Sequence, residues 1–183
     1  MIFELSREDK RTLCALAREA IEAGLAGRSP LLPSPSGALR EHAGAFVTLH
    51  ENGRLRGCIG RMESGRPLLE TIAEMAYSAA FEDPRFEPLS PHEKDHIAIE
   101  ITVLSPMRKI SKAEDVVVGR HGLYLAARGR AGVLLPQVAV EYGWTALDFL
   151  DQVCLKAGLP PGTWKDNGSN LYVFEGIVFD ETD

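Results

Sequence analysis

Cysteine is scarce in this chain. There are three, Cys14, Cys58 and Cys154, and no two stand at a CxxC or any other zinc-binding spacing. An odd number of widely spaced thiols argues against a disulfide framework and leads us to expect a reducing, cytoplasmic setting. Long apolar runs are also missing. None reaches the about 18 residues a membrane-spanning helix requires, and the opening "MIFELSREDK" lacks a basic-then-apolar secretory pattern. Clustered positive charge is a third absence. The formal net charge is −6, and no stripe of Lys and Arg interleaved with aromatics occurs. That counts against nucleic acid as the main partner, because phosphate binding draws on grouped cations. No phosphate loop, dinucleotide fingerprint or GxSxG elbow appears. No cofactor and no metal site is expected.

What is present is ordinary for a soluble globular chain: 183 residues, 45% hydrophobic and 25% charged, enough for one domain or two small lobes sharing a core. Ser6 and Asp9 make a capping-box start for a first helix with Leu13, Leu16, Ala17, Ala20 and Ile21 on one face, stopped at Gly24. "GRSPLLPSPSG" then reads as a surface loop. "AFVTLHENGRLRGCIG" reads as a β-hairpin turning at Asn52-Gly53, since both central residues of a type I′ turn need positive φ. A regular register sets Val47 opposite Cys58 and Leu49 opposite Arg56, with Arg54, Arg56 and Cys58 on one face. A second helix begins near Pro67, buries Leu68, Ile72, Met75, Ala76 and Ala79, and ends at Asp83-Pro84. "HIAIEITVLSP" alternates as a strand, with Ala98, Glu100 and Thr102 opposite the isoleucines. Two more strands meet at an Arg128–Gly132 turn and lead to a short helix. Thr145 and Asp148 start the last helix, whose face is Leu147, Leu150, Val153, Cys154 and Ala157, closed by Gly158 and Pro160-Pro161. "NLYVFEGIVFD" is a terminal strand. Helices interleaved with hairpins predict an α+β fold, an antiparallel sheet flanked by helices.

Cys58 leads the candidate chemical residues. Gly57 and Gly60 leave the backbone beside it open to a close approach by a ligand or another backbone. Arg56, two residues earlier, is the cation expected to favour its thiolate. The plainer reading is a strand cysteine beside a bulge, with Arg56 in a structural ion pair. His121, in "GRHGLYL" at a strand entrance, is the candidate acid/base partner if the fold brings it near the thiol. Glu100 and Glu141 are candidates to orient that histidine or bind a cation, and Arg85, in "EDPRF", to hold an acidic substrate group. His92 and His96 in "HEKDH" differ from HExxH, and that segment precedes a strand, so a metal is not expected there. Cys14 and Cys154 fall in helical apolar patterns and read as small buried hydrophobes.

Taken together, "LRGCIG", "AAFEDPRFEPLS", "IEITVLSP", "GRHGLYL", "GVLLPQVAVEYGW" and "FLDQVCLKAGL" resemble the AMMECR family, whose bacterial and archaeal members are called AmmeMemoRadiSam system protein A. The resemblance runs from the first helix to the last strand, and the signature hexapeptide stands intact as Leu55–Gly60. It implies an α+β fold of a larger and a smaller lobe around a cleft to which the hexapeptide contributes. It also implies, as partners, a Memo-like protein and a radical SAM protein. Joined with the residues above, it points to a thiol-dependent enzyme or enzyme component using Cys58. The rival reading is a non-catalytic binding, scaffold or regulatory protein that grips the Memo-like partner, with Cys58 a packing residue.

Overall fold

The structure is a computed structural model that describes residues 4–34 and 37–182. Pro35 and Ser36, at the end of the expected surface loop, lie outside the described residues. The fold is α+β, as expected, and the chain divides into two compact units. The first runs to Leu104 and resumes at Ile177; the second is Ser105–Gly176.

In the first unit, helix α1 (Arg7–Leu25) starts as predicted: Ser6 Oγ accepts the Asp9 N–H at 3.1 Å and the Asp9 carboxylate accepts the Ser6 N–H at 3.0 Å. It does not stop at Gly24. The helix continues to Leu25, and the left-handed residue beyond it is Gly27, φ 65°. Gly24 has a packing role instead, since a Cβ there would lie 2.4 Å from the Phe81 ring. Its bareness lets α1 approach helix α2 (Leu68–Phe81), which buries the five residues its spacing predicts. Pro67 is the cap of α2 rather than part of its first turn.

Strands β1 (Ala45–Glu51), β2 (Arg54–Arg61) and β3 (Ile97–Leu104) carry the sheet of this unit. β1 lies antiparallel between β2 and β3, β7 (Asn170–Asp180) runs beside β3, and β2 is an edge. Asn52 and Gly53 make the turn with φ of 51° and 74°. The register past the turn differs from the expected one. Leu55 opposes His50 but Gly57 opposes Leu49, so Arg56 is an extra residue without a partner on β1. This is a β-bulge, and one inserted residue moves every later side chain to the other face. Cys58 therefore opposes Thr48, not Val47. Val47 and Leu49 are fully buried in the core with Ile99 and Ile101. Each such side chain contributes roughly 1.5–3 kcal/mol on burial. Cys58 shares its face with Thr48 and with Glu100, which meets Thr48 from β3.

The hexapeptide glycines serve packing. A Cβ on Gly57 would lie 2.2 Å from the Ala79 carbonyl oxygen, so α2 rests its backbone directly on β2. A Cβ on Gly60 would fall 2.2 Å from the Phe46 ring, which covers that position from β1.

In the second unit, β5 (His121–Ala127) and β6 (Arg130–Leu134) form a hairpin whose turn is tighter than expected. Arg128 and Gly129 alone make it, with φ of 51° and 73°. Gly132 lies within β6, where a Cβ would sit 2.6 Å from the Ala157 amide nitrogen of α4. β7 pairs with β5 and with the short β4 (Arg108–Ile110), a strand the sequence pattern does not announce. α3 (Pro136–Glu141) precedes α4 (Ala146–Lys156), which Thr145 and Asp148 cap as predicted. Leu147 is exposed rather than on the buried face of α4. Phe149 takes that place, with Leu150, Val153 and Cys154 also fully buried.

Gly57→Ala is expected to cost about 1–3 kcal/mol, the range for overpacking against a rigid backbone. Urea unfolding of the variant would measure it, and an unchanged midpoint would refute the contact.

Candidate functional site

The site is built on the open edge of β2. An edge strand presents N–H and C=O groups that need partners. At Cys58 both are met by the loop that follows α2. The Cys58 N–H donates to Asp83 Oδ2 at 2.9 Å, and Arg85 Nη2 donates to the Cys58 carbonyl at 3.0 Å. Asp83 and Arg85 thus stand where a neighbouring strand would be.

The loop is shaped to do this. Asp83 Oδ1 accepts the Arg85 N–H at 3.1 Å, an Asx turn, and the Phe86 N–H reaches the Asp83 carbonyl at 3.1 Å. The Arg85 guanidinium then folds back on the same carboxylate, with Nε at 2.9 Å from Oδ1 and Nη2 at 2.7 Å from Oδ2. This is a bidentate fork. The Asp83 side chain is 2% exposed and that of Arg85 53%. The hydrogen bonds from Arg85 outweigh burial and hold the Asp83 carboxyl well below the usual carboxylate range, with the Cys58 and Arg85 amides adding to the effect. Arg85 is raised in turn, chiefly by Asp83 and in smaller part by the Cys58 side chain.

Because the Cys58 backbone groups point outward to this loop, its pairing with Thr48 is of the non-hydrogen-bonded kind, in which side chains stand closer. The Thr48 hydroxyl donates to Cys58 Sγ at 3.3 Å. The Cys58 side chain is half-buried, whereas Cys14 and Cys154 are buried.

Arg56 is released by the bulge and is committed elsewhere. Its Nε donates to Glu93 at 2.6 Å, and Glu93 also accepts the Ser90 N–H and hydroxyl, both at 2.8 Å. The Arg56 hydrogen bond leads in bringing the Glu93 carboxyl down to about 2. The Phe86 ring packs against both guanidinium groups, at 5.9 Å from Arg56 and 5.5 Å from Arg85. The expected pairing of Arg56 with Leu49 does not form, because Arg56 is the bulged residue.

The remaining candidates fall as follows. Glu100 is half-buried in the same cross-strand row as Cys58, with Thr48 between them. His121 belongs to the second unit, where its Nδ1 accepts the Val117 N–H at 3.0 Å, so the ring proton resides on Nε2, 4.0 Å from Glu175. Burial leads in lowering its pKa; Glu175 opposes the shift, while Arg108 and Arg120 add to it. Glu141 is exposed at the end of α3. Among the described residues, no group of three His, Cys, Asp or Glu is placed to hold a metal ion. No described helix is long and apolar enough to cross a membrane. Sequence reasoning missed Thr48, Asp83, Phe86 and Glu93. A bulged register would have exposed Thr48; Asp83 reads only as a helix stop.

The fold and site define an α+β protein with a half-exposed thiol fixed on a sheet edge. The chain belongs to the AMMECR1 family, whose profile matches residues 14–179. It is 43% identical over 188 residues to a protein of Methanopyrus kandleri, covering 97% of this chain and 91% of that one. It is likewise 43% identical over 185 residues to a protein of Methanothermobacter thermautotrophicus, covering 97% and 96%. Among solved structures it is similar to the crystal structure of an uncharacterised protein from Pyrococcus horikoshii, with a TM-score of 0.85 and 37% identity over 96% of this chain and 93% of that one.

Two pH responses follow. Asp83 and Glu93 have depressed pKa values in the folded state, so their contribution to stability is complete above about pH 4.5, the unfolded range. It is lost as pH falls toward 2. Asp83→Ala is expected to cost about 3 kcal/mol at neutral pH and to flatten this acid dependence, as read by urea melts between pH 7 and 3. His121 is expected to titrate below 6.5, and an NMR titration of its ring giving a higher value would contradict its placement.

Proposed function

We propose that the chain acts through the Cys58 thiol, as an enzyme or enzyme component of a system that includes a Memo-like protein and a radical SAM protein. One observation supports the thiol role above others. Cys58 is half-buried rather than enclosed, its backbone is pinned on both sides by Asp83 and Arg85, and its sulfur is held by Thr48. Packing alone does not call for a cysteine there, because the close contacts of the hexapeptide fall on Gly57 and Gly60. A fixed, accessible nucleophile is what covalent catalysis requires. Membership of the three-part system rests on the family relation alone.

Alkylation tests the thiol role. Iodoacetamide at limiting dose should label Cys58 at least about tenfold faster than Cys14 or Cys154, as read by peptide mass spectrometry. Cys58→Ser should abolish the fast phase without lowering the melting temperature. A Cys58 that stays unlabelled would instead favour a docking role for the hairpin.

A further inference from the structure

We propose that Asn167 is a site of spontaneous covalent modification, in which the main-chain nitrogen of Gly168 converts its amide to aspartate and isoaspartate. The chain holds three asparagines, Asn52, Asn167 and Asn170, and the first two precede glycine. Sequence alone does not rank Asn52-Gly53 against Asn167-Gly168, because each sets the same nucleophile beside the same amide. Their surroundings do.

Asn167 and Gly168 are the exposed centre of a turn that the Ser169 N–H closes by donating to the Asp166 carbonyl at 3.1 Å. The ends of the turn are anchored: Arg128 Nη2 donates to Asp166 Oδ2 at 2.7 Å, and the Ser169 hydroxyl donates to the Thr163 carbonyl at 2.7 Å. Its two central residues are not. Among the described residues the Gly168 N–H meets no acceptor and the Asn167 side-chain amide makes no hydrogen bond. Gly168 has φ 98°, where residues with a Cβ are strained. The turn therefore calls for the residue whose nitrogen is least shielded, and nothing lies within 4 Å of where a Cβ would stand.

Asn52 is also exposed, but it stands at φ 51° in a two-residue connection whose flanking strands are paired from Glu51 and Arg54 onward. Ring closure requires ψ of the asparagine to rotate until the next nitrogen reaches Cγ. At Asn52 that rotation pulls on paired strands at both ends, whereas at Asn167 it acts against the single hydrogen bond that closes the turn. Asn170 is held twice, by pairing of β7 with Ala126 and by Lys109 Nζ donating to its Oδ1 at 2.8 Å, and the side chain of Leu171 shields the nitrogen that follows.

The step balances without a change of oxidation state. Hydroxide takes the Gly168 amide proton, the nitrogen attacks Asn167 Cγ, and a C–N bond forms to close a five-membered succinimide. The Cγ–Nδ2 bond breaks, and that nitrogen leaves as ammonia after taking a proton from water. Water then opens the ring at either carbonyl, giving aspartate or isoaspartate. Either product sets a second carboxylate beside Asp166, the partner of Arg128. Isoaspartate also routes the main chain through its Cβ and so lengthens the turn that leads into β7.

The test is incubation of the purified chain in mildly alkaline buffer, with tandem mass spectrometry reading replacement of each amide by a carboxyl. In the folded chain Asn167 should convert at least about tenfold faster than Asn52, with Asn170 unchanged and the Asn167 rate rising with pH. In unfolding urea Asn52 and Asn167 should react at matching rates, which assigns the difference to the fold. Asn52 converting as fast as Asn167 in the folded chain, or Asn167 remaining an amide over the time in which the unfolded chain converts, would overturn the proposal. A gap of the same size in urea would overturn it as well, since sequence rather than structure would then set the order.

Discussion

The carboxylate of Asp83 is the point on which the first unit's arrangement turns. It is almost fully enclosed, accepts the amide of Cys58, and is matched by a bidentate guanidinium from two residues along. A buried charge of this kind persists only when its partners are complete. Here the completion closes the exposed edge of β2 at the residue carrying the thiol. The sequence of causes begins at Gly57. Having no Cβ, it lets the Ala79 carbonyl of α2 settle on the strand. α2 then ends beside the edge, and Asp83 falls within reach of the Cys58 amide. A larger residue at Gly57 would displace the helix and, with it, the carboxylate.

The bulge at Arg56 supplies the second constraint. Without the extra residue, Cys58 would point with Val47 into the packed core, where a thiol is inert. The inserted residue turns Cys58 to the row shared with Thr48 and Glu100. It also frees Arg56 to bind Glu93 and to lie against Phe86, the ring that Arg85 touches as well. Each arginine is balanced by one carboxylate, Arg56 by Glu93 and Arg85 by Asp83. Arg56 is well covered while Arg85 remains about half exposed, with side-chain exposures of 14% and 53%. Only the second is available to a ligand from solution.

Much of the framework is legible in the sequence because it depends on local chemistry. Capping boxes at Ser6/Asp9 and Thr145/Asp148, positive φ at Asn52-Gly53 and the alternation of 97–104 are each decided within a few residues. What fails to show is set by contacts distant in the chain. Gly24 looks like a helix stop, yet the Phe81 ring decides its role. The Asn52-Gly53 turn fixes the hairpin's start but not the bulge beyond it, so the predicted partner of Cys58 is off by one and its face is reversed. Asp83-Pro84 reads as an end of helix, and nothing local reveals that the carboxylate serves a strand 25 residues earlier.

Position, rather than composition, separates the three thiols. Burial pushes the Cys154 thiol up, and Cys14 is enclosed in the core of the first unit. Cys58 alone of the three is half-buried, with its backbone held by Asp83 and Arg85 and its sulfur by Thr48. His121 shows the complementary case. Its Nδ1 is occupied by the Val117 amide and burial favours its neutral form, so its visible work is to lock the entrance of β5. A histidine held this way resists taking up a second proton, which is poor preparation for a shuttle.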